Sequence, residues 1–348
     1  MTPPDRSIRN DLLSDQTTSP TLTPTPNPER IGASEPGQAT PAQVASLAAS
    51  ITQAASAQTY YTIRFLVDRP RVADAYRAYA YFRWVDDHLD TGAGSGSERS
   101  AFVQRQKSLL EACYRGQPPQ DTNIQENMLV ELIRRNPEKN NGLHFYLRNM
   151  MRVMAFDVER QGKLVSQAEL NEYTRWLAGA VTESMHYFIG RDDFSPHGEM
   201  RYLAVAAAHI THMLRDTFDD LQAGYYNIPR EALEANHISP QDVHSDAYRA
   251  WVRSRVQLAR AYFKAGRDYL NRVENARCRL AGYAYTARFE GLLDVIEREN
   301  YCLRPAYPER KSFGTGLRMS WLALSALMNP RPQNLSPQPV AARSLRKL

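Results

Sequence analysis

The sequence predicts an all-α protein: a single domain of packed helices around a central cavity. Apolar side chains recur three and four residues apart along most of the chain, and this is the spacing of one helix face. No segment shows the strict alternation of apolar and polar residues that marks a half-buried strand. About ten helices in about 285 residues, with no obvious linker between them, are typical of one helical bundle.

The predicted domain spans residues 42–329 and has a loose segment at each end. Residues 1–41 are rich in Pro, Thr, Ser and Asn and contain almost no large apolar side chains. Such a segment cannot bury enough area to offset the entropy lost on ordering, so we predict a disordered tail. Residues 330–348 are polar and contain prolines, which predicts a second loose tail.

The helices are predicted from their start and stop residues. Pro41 opens an alanine-rich helix that ends before Thr59-Tyr60-Tyr61, and a second short helix follows. Pro70 suits the first turn of a third helix, which ends at the glycine-rich run beginning at Gly92. Helical spacing predicts the remaining helices at about 98–115, 122–135, 141–161, 166–189, 199–222, 246–275, 280–299 and 312–328.

Charge and cysteine usage restrict the class of protein. The chain has 348 residues, a formal net charge of +5 and three cysteines at scattered positions. The modest basic excess suits an anionic substrate or a lipid surface, and no nucleic-acid-binding motif is present. The cysteines form neither a disulfide framework nor a metal-binding spacing. No apolar run reaches the roughly 18 residues of a membrane span, and the start lacks a secretory signal.

These features together predict the protein's location. We expect a cytoplasmic protein that contacts the inner membrane surface loosely through its basic helices. The sequence says nothing about oligomeric state.

The first segment that carries chemistry runs from Tyr79 to Asp90. Read as a helix, it places Arg83, Asp86 and Asp90 on one face, because residues three, four and seven apart stack over one another. Hard carboxylate oxygens suit Mg²⁺, which is usually shared between one or two carboxylates and a substrate phosphate. Taken alone, the pair is more often solvated helix surface.

A second acidic segment lies downstream. His209, His212, Asp216 and Asp220 share one predicted helix face, and Arg215 lies beside them. Two aspartate pairs on two helices, both set among apolar neighbours, can face each other across a cavity. The combination predicts a site for several Mg²⁺ ions and an organic diphosphate.

The order and spacing of these segments resemble the squalene/phytoene synthase family, the head-to-head prenyl synthases with an all-α isoprenoid synthase fold. The resemblance covers roughly residues 55–325, as the order of the motifs indicates. The matching motifs are Thr59-Tyr60-Tyr61, Arg83 to Asp90, Met154-Ala155-Phe156-Asp157, Leu177-Ala178-Gly179, and Leu214 to Asp220 with Gly224 and Pro229.

Several positions depart from the family pattern. Histidines replace a Gln and an Asn, a Trp replaces a Tyr, a Thr replaces a Gly, and Tyr and Asn replace an Arg and a Tyr. The residues concerned are His209, His212, Trp176, Thr182, Tyr225 and Asn227. The aspartates of both motifs are all present, so ionisation of a diphosphate is the safer expectation and the product stays open.

The resemblance implies a role for each candidate residue. Mg²⁺, with Mn²⁺ as an alternative, would bind the catalytic aspartates Asp86, Asp90, Asp216 and Asp220. The substrate diphosphate would be bound by Arg83, Arg215, His212 and Thr59. The cavity would be lined by Tyr79, Asp157, Trp176 and Gly179.

Ordinary packing is an alternative for the cavity residues. Asp157 either points into the cavity or lies past the core near a helix end. Gly179, between two alanines, allows either close approach of another helix or room for a long ligand. The aromatic side chains either stabilise a carbocation or simply fill the core.

The implied reaction joins two allylic prenyl diphosphates head-to-head. We expect a phytoene-like condensation of two geranylgeranyl diphosphates through a cyclopropyl intermediate. The first alternative is squalene or a related C30 product from farnesyl diphosphate, and squalene formation would also consume NADPH. Two further alternatives are a catalytically silent isoprenoid-binding or assembly protein of the same family, and a terpene cyclase that uses one diphosphate.

Overall fold

The computed structural model describes residues 40–91, 95–190 and 198–308. These residues form twelve α-helices and no strand, so the all-α class is confirmed. The helices belong to two compact units, the N-terminal one ending at Lys139 and the C-terminal one beginning at Asn140. The proposed tails and the helix expected at 312–328 lie wholly or almost wholly outside the described residues, and the single-domain boundaries stay a prediction.

The N-terminal unit is built around one long helix. Its elements are α1 (Pro41–Ala55), α2 (Ala57–Leu66), α3 (Val72–Thr91), α4 (Gly96–Tyr114) and α5 (Glu126–Arg135), with a 3-10 turn at Arg69–Arg71. Helix α3 packs against α1, α2 and α5. Its residues from Asp74 to Phe82 are all buried, so helices cover it on more than one side.

The junction between α1 and α2 differs from the sequence prediction. The break lies at Ser56, whose backbone is extended (φ −154°, ψ 102°) and whose hydroxyl accepts a hydrogen bond from the Thr59 amide. A serine in this position satisfies an amide that the first turn of a helix leaves without a partner. Thr59-Tyr60-Tyr61 therefore lies inside α2 and not ahead of it.

The C-terminal unit surrounds helix α8. Its elements are α6 (Gly142–Arg160), α7 (Gln167–Gly190), α8 (Met200–Arg215), α9 (Thr217–Gln222), α10 (Arg230–Asn236), α11 (Asp246–Leu270) and α12 (Ala276–Arg298). Helix α8 packs against α7, α11 and α12 and is buried at almost every position. A helix enclosed in this way has no solvent face, so its polar residues must find partners inside the protein.

Two features of this unit were not predicted. The helix expected over 199–222 is interrupted at Asp216 (φ −92°, ψ 7°). The Thr217 hydroxyl donates to the carbonyls of Met213 and Leu214, and such back-bonding bends helices. Helix α10 is also new, because seven residues are too few to show a helical period.

Two glycines mark close approaches between helices. A Cβ at Gly266 in α11 would lie 2.6 Å from the Ala204 Cβ and 2.8 Å from its Cα and N atoms in α8. A Cβ at Gly179 would lie 2.7 Å from the Phe145 ring, and Gly179 also lines a groove of this unit, so both uses expected for Gly179 stay open. None of the described helices combines the length and apolar character needed to cross a bilayer.

We predict opposite effects for alanine at two helical glycines. Gly266→Ala should lower the free energy of unfolding by about 1–3 kcal/mol, because its Cβ would meet the Ala204 backbone, which cannot move aside alone. Gly291→Ala should raise it by about 0.5–1 kcal/mol, since nothing lies within 4 Å of its Cβ position and alanine favours helix. Urea denaturation measures both; equal effects would contradict the packing of α11 on α8.

Candidate active site in two acidic segments

The first acidic segment lies on α3. Asp86 is buried and Asp90 is partly exposed, and the helix is continuous through both, so they share one face. Arg83 is also buried and pairs with Asp87 through two bonds, Nε to Oδ2 at 2.9 Å and Nη2 to Oδ1 at 2.6 Å. Asp87, which the sequence analysis left without a role, therefore fixes the orientation of the Arg83 guanidinium.

A buried polar chain holds this part of α3 in position. The Tyr81 hydroxyl donates to Gln106 Oε1 at 2.9 Å, and Gln106 Nε2 donates to Glu126 Oε1 at 2.9 Å. Arg105 completes the chain with an ion pair to Glu126 at 2.7 Å. These bonds join α3, α4 and α5, so the acidic face of α3 is set by contacts within its own unit.

Two further residues of the N-terminal unit, Tyr79 and Thr59, are predicted from the sequence to take part in the site. Tyr79 is buried in α3. Thr59 lies in the first turn of α2, where its hydroxyl accepts a hydrogen bond from the Ser56 hydroxyl at 2.8 Å. The role of Thr59 in diphosphate binding and of Tyr79 in the cavity stay predictions.

The second acidic segment centres on Asp216, where α8 ends. Arg215 clamps its carboxylate with Nε to Oδ1 at 2.5 Å and Nη2 to Oδ2 at 2.7 Å. His212 Nδ1 lies 2.7 Å from Oδ2 of the same carboxylate. Burial by itself would raise the pKa of Asp216, but the interactions with His212 and Arg215 outweigh it and lower that pKa. Asp216 is therefore a carboxylate at neutral pH.

Both histidines of this helix are neutral at pH 7. Burial, reinforced by the Arg215 charge, lowers the pKa of His212 to about 4. Burial also lowers the pKa of His209 well below its ordinary value, and its Nδ1 lies 3.1 Å from the Thr174 hydroxyl. His212 therefore donates from Nδ1 to Asp216 and accepts at Nε2 from Arg215, 3.0 Å away. Neither histidine adds positive charge here.

A buried network links the second acidic segment to α6 and α7. Asn227 Nδ2 donates to Asp220 Oδ2 at 2.5 Å, and Asn227 Oδ1 accepts from Arg160 at 3.1 Å. Arg160 pairs with Asp157 at 2.9 Å, and the Tyr173 hydroxyl donates to the other oxygen of Asp157 at 3.1 Å. Asp157 is thus buried and paired within the C-terminal unit, near the end of α6, and its role in the cavity stays a prediction.

The connecting members of this network are not among the residues predicted from the sequence. Arg160 follows Asp157 by three residues, a spacing that puts both on one helix face and could have suggested the pair. Asn227 was noted only as a departure from the family pattern, because its partners come from other parts of the chain. Trp176 is partly exposed and meets the Phe156 ring edge-on, with centroids 6.1 Å apart; its cavity role stays a prediction.

The oxygen donors suit a divalent cation shared with a substrate. Asp86 and Asp90 lie one turn apart, and Asp216 and Asp220 are joined by an Asp220 N to Asp216 O bond of 2.8 Å. Within the described ranges, no three acidic, histidine or cysteine side chains converge into a cage for a cation. Two carboxylates on each segment, all hard oxygen donors, fit Mg²⁺, which takes the rest of its ligands from water and phosphate.

We predict a large loss of stability when Asp157 loses its ion-pair partner, Arg160. Arg160→Met should lower the free energy of unfolding by about 3–5 kcal/mol, because a buried carboxylate is left without its counter-charge. The double variant Arg160→Met/Asp157→Leu should recover most of that loss. Arg175→Met is the control, since its pair with Glu172 is exposed and is worth about 0–1 kcal/mol. Chemical denaturation of these proteins and of the single variant Asp157→Leu decides; additive single effects would contradict the pairing.

Comparisons with known proteins identify the family of this chain. Residues 52–312 match the family model described as squalene/phytoene synthase. The 15-cis-phytoene synthase of Synechocystis is 25% identical over 289 residues, 78% of this chain and 82% of the relative. The presqualene diphosphate synthase of Zymomonas mobilis is 31% identical over 202 residues, 56% of this chain and 63% of the relative.

A solved structure shows the same fold. The squalene synthase HpnC from Alicyclobacillus acidocaldarius superposes with a TM-score of 0.59 at 19% identity, covering 76% of this chain and 98% of the other. Since the family match also spans most of the sequence, the chain belongs to the squalene/phytoene synthase family.

Proposed function

We propose that this protein is a Mg²⁺-dependent prenyltransferase that condenses two molecules of geranylgeranyl diphosphate head-to-head to a phytoene-like product. The observation that carries the proposal is that both compact units contain a pair of aspartates one turn apart with an arginine beside them, in a chain of this family. Relatives named phytoene synthase in Synechocystis and Thermus thermophilus favour the C40 product.

The residues of the two segments would have two different roles when a diphosphate ionises: aspartates bind the cation, and arginines bind the phosphate. Asp86 and Asp90 in one segment and Asp216 and Asp220 in the other would hold Mg²⁺ ions, which when bound supply positive charge to the departing diphosphate. Arg83 and Arg215 would donate charged hydrogen bonds, since a guanidinium binds two phosphate oxygens at once. Both arginines are held by aspartates in this structure, so their forks are oriented before a substrate arrives.

The neutral histidines add no positive charge beside the second acidic segment. His212 orients Asp216 through Nδ1 and adds no cation of its own. His209 packs edge-on against the Tyr173 ring, with centroids 4.9 Å apart. The aromatic and aliphatic side chains around these residues would exclude water, which would otherwise capture an allylic cation.

The rival functions differ in substrate and outcome. Squalene or a related C30 product would require farnesyl diphosphate, with NADPH for squalene, and the relative in Zymomonas mobilis that is named presqualene diphosphate synthase motivates this alternative. A silent isoprenoid-binding protein would bind prenyl diphosphates without releasing diphosphate. The departures at His209, His212 and Asn227 motivate that second alternative.

Incubation with each substrate tests the proposal. Purified protein with Mg²⁺ and geranylgeranyl diphosphate should release diphosphate and yield an extractable C40 hydrocarbon, and EDTA should abolish both, because the leaving group needs neutralisation. A parallel incubation uses farnesyl diphosphate in place of geranylgeranyl diphosphate, with and without NADPH. A C30 product from farnesyl diphosphate alone would support the alternative, and binding without diphosphate release would contradict any transferase function.

Substitution of one aspartate in each segment should remove activity without unfolding the protein. Asp90→Asn and Asp220→Asn should each lower kcat by about 10²–10³-fold, because each removes a charged oxygen ligand. Both residues are partly exposed, so neither change leaves a deeply buried cation unpaired.

Asp246→Asn is the matched control, since it alters a carboxylate that is 96% exposed at the start of α11. Its kcat should equal that of the unmodified protein, and all three variants should melt within a few degrees of it. Full turnover by Asp90→Asn or Asp220→Asn would remove the two segments from the mechanism.

A further inference from the structure

A groove in the C-terminal unit lies away from the acidic face of α8. It has a volume of about 240 Å³ and runs between α7, α8 and α11. Apolar side chains make up most of its wall, among them Leu170, Ala178, Leu203, Ala206, Ile210 and Leu258. All its lining residues belong to the C-terminal unit, so its shape depends on that unit alone.

The groove and the acidic segment use different faces of α8. At 100° per residue, His209, His212 and Asp216 cluster on one side of the helix, and Leu203, Ala206 and Ile210 point roughly a third of a turn away. Thr174 and Asn227 also line the groove and bond to His209 and Asp220 respectively. The groove therefore adjoins the network of the second acidic segment but has a separate apolar wall.

Three polar side chains of the groove carry buried atoms without hydrogen-bond partners. Within the described residues, Arg255 Nε, Tyr262 Oη and Asn171 Nδ2 are buried and make no hydrogen bond. Each of these atoms can donate a hydrogen bond. Buried donors are normally satisfied, so the polar side chains on this side of the groove are incompletely paired within the described chain.

Arg255 is the cation that sets the charge of this groove. In the described part of the chain it forms no ion pair, whereas Arg175 at the same groove pairs with Glu172. Burial lowers the pKa of Arg255 from its ordinary value, yet a guanidinium stays charged at neutral pH. Glu199, the acidic residue of the lining, is exposed and interacts with Tyr262.

We propose that this groove binds a single-chain carboxylate of medium length, with its head group at Arg255 and its alkyl chain along α8. One unpaired guanidinium balances the single charge of a carboxylate, whereas a phosphate monoester brings nearly two charges. A methylene group occupies about 30 Å³, much as a water molecule does. The groove volume therefore accepts a chain of about eight carbons. A neutral lipid would leave Arg255 without an acceptor, and an inorganic anion would leave the apolar wall in water.

Quenching of Trp251 tests this site directly, because that residue lines the groove. Titration of the full chain with 8-bromooctanoate, whose bromine quenches only on contact, should give saturable loss of tryptophan fluorescence. Trp251→Phe should remove that quenching although three other tryptophans remain in the chain. Octanoate should reverse the quenching, and methyl octanoate and octanol should do so at least tenfold less well.

Variants at α11 separate charge recognition from folding. Arg255→Gln should weaken octanoate binding at least tenfold, and Arg255→Lys should retain it within threefold because the charge is kept. Arg253→Gln is the matched control, since it removes the same charge from an exposed position two residues away. Arg255→Gln should melt no earlier than the control, because the described chain gives this guanidinium no ion pair to lose.

Each contrary result overturns the proposal. These are the absence of saturable quenching, undiminished binding by Arg255→Gln, or equal binding of the methyl ester. Self-association that depends on Arg255, without octanoate binding, would assign the groove to a second copy of the chain and also overturn it. The assay requires no prenyl turnover, so its outcome is independent of the proposed function.

Discussion

Carboxylates buried inside helix packing are the constraint on which this structure depends. A charge removed from water is tolerated only with a counter-charge and hydrogen bonds at close range. Asp74, Asp157 and Asp216 are all buried, and each pairs with an arginine from its own compact unit. Each of these pairs lies within one helix or at its end, so the buried carboxylate is neutralised locally and the helix can be enclosed by its neighbours.

The same pairs hold the candidate site ready before a ligand binds. Arg215 and His212 fix the Asp216 carboxylate where α8 ends, and Asn227 holds Asp220 one turn further on. In α3, Asp87 fixes the fork of Arg83. Side chains restrained in this way lose little conformational freedom when a diphosphate arrives, which is the advantage of a preorganised site. The cost is a stability that depends on every partner being present.

Helix α8 borders two regions of different character in the C-terminal unit. Its acidic face carries Asp216 and two neutral histidines, where the carboxylate is fully compensated. Its other face forms one wall of an apolar groove whose cation, Arg255, has no ion pair in the described residues. One buried helix can serve both because the two sets of side chains point to different sides of it.

The sequence by itself determined the all-α class, most helix bounds to within a few residues, and the two acidic segments. Helical periodicity and the spacing of aspartates are local, so they are visible without a structure. Tertiary structure alone decided that Asp157 is buried against Tyr173, that Asn227 bridges Asp220 to Arg160, and that Arg255 is left in an apolar groove. Those contacts join side chains distant in the chain, or depend on which helices pack together. No local pattern encodes them, because helix packing chooses the partners.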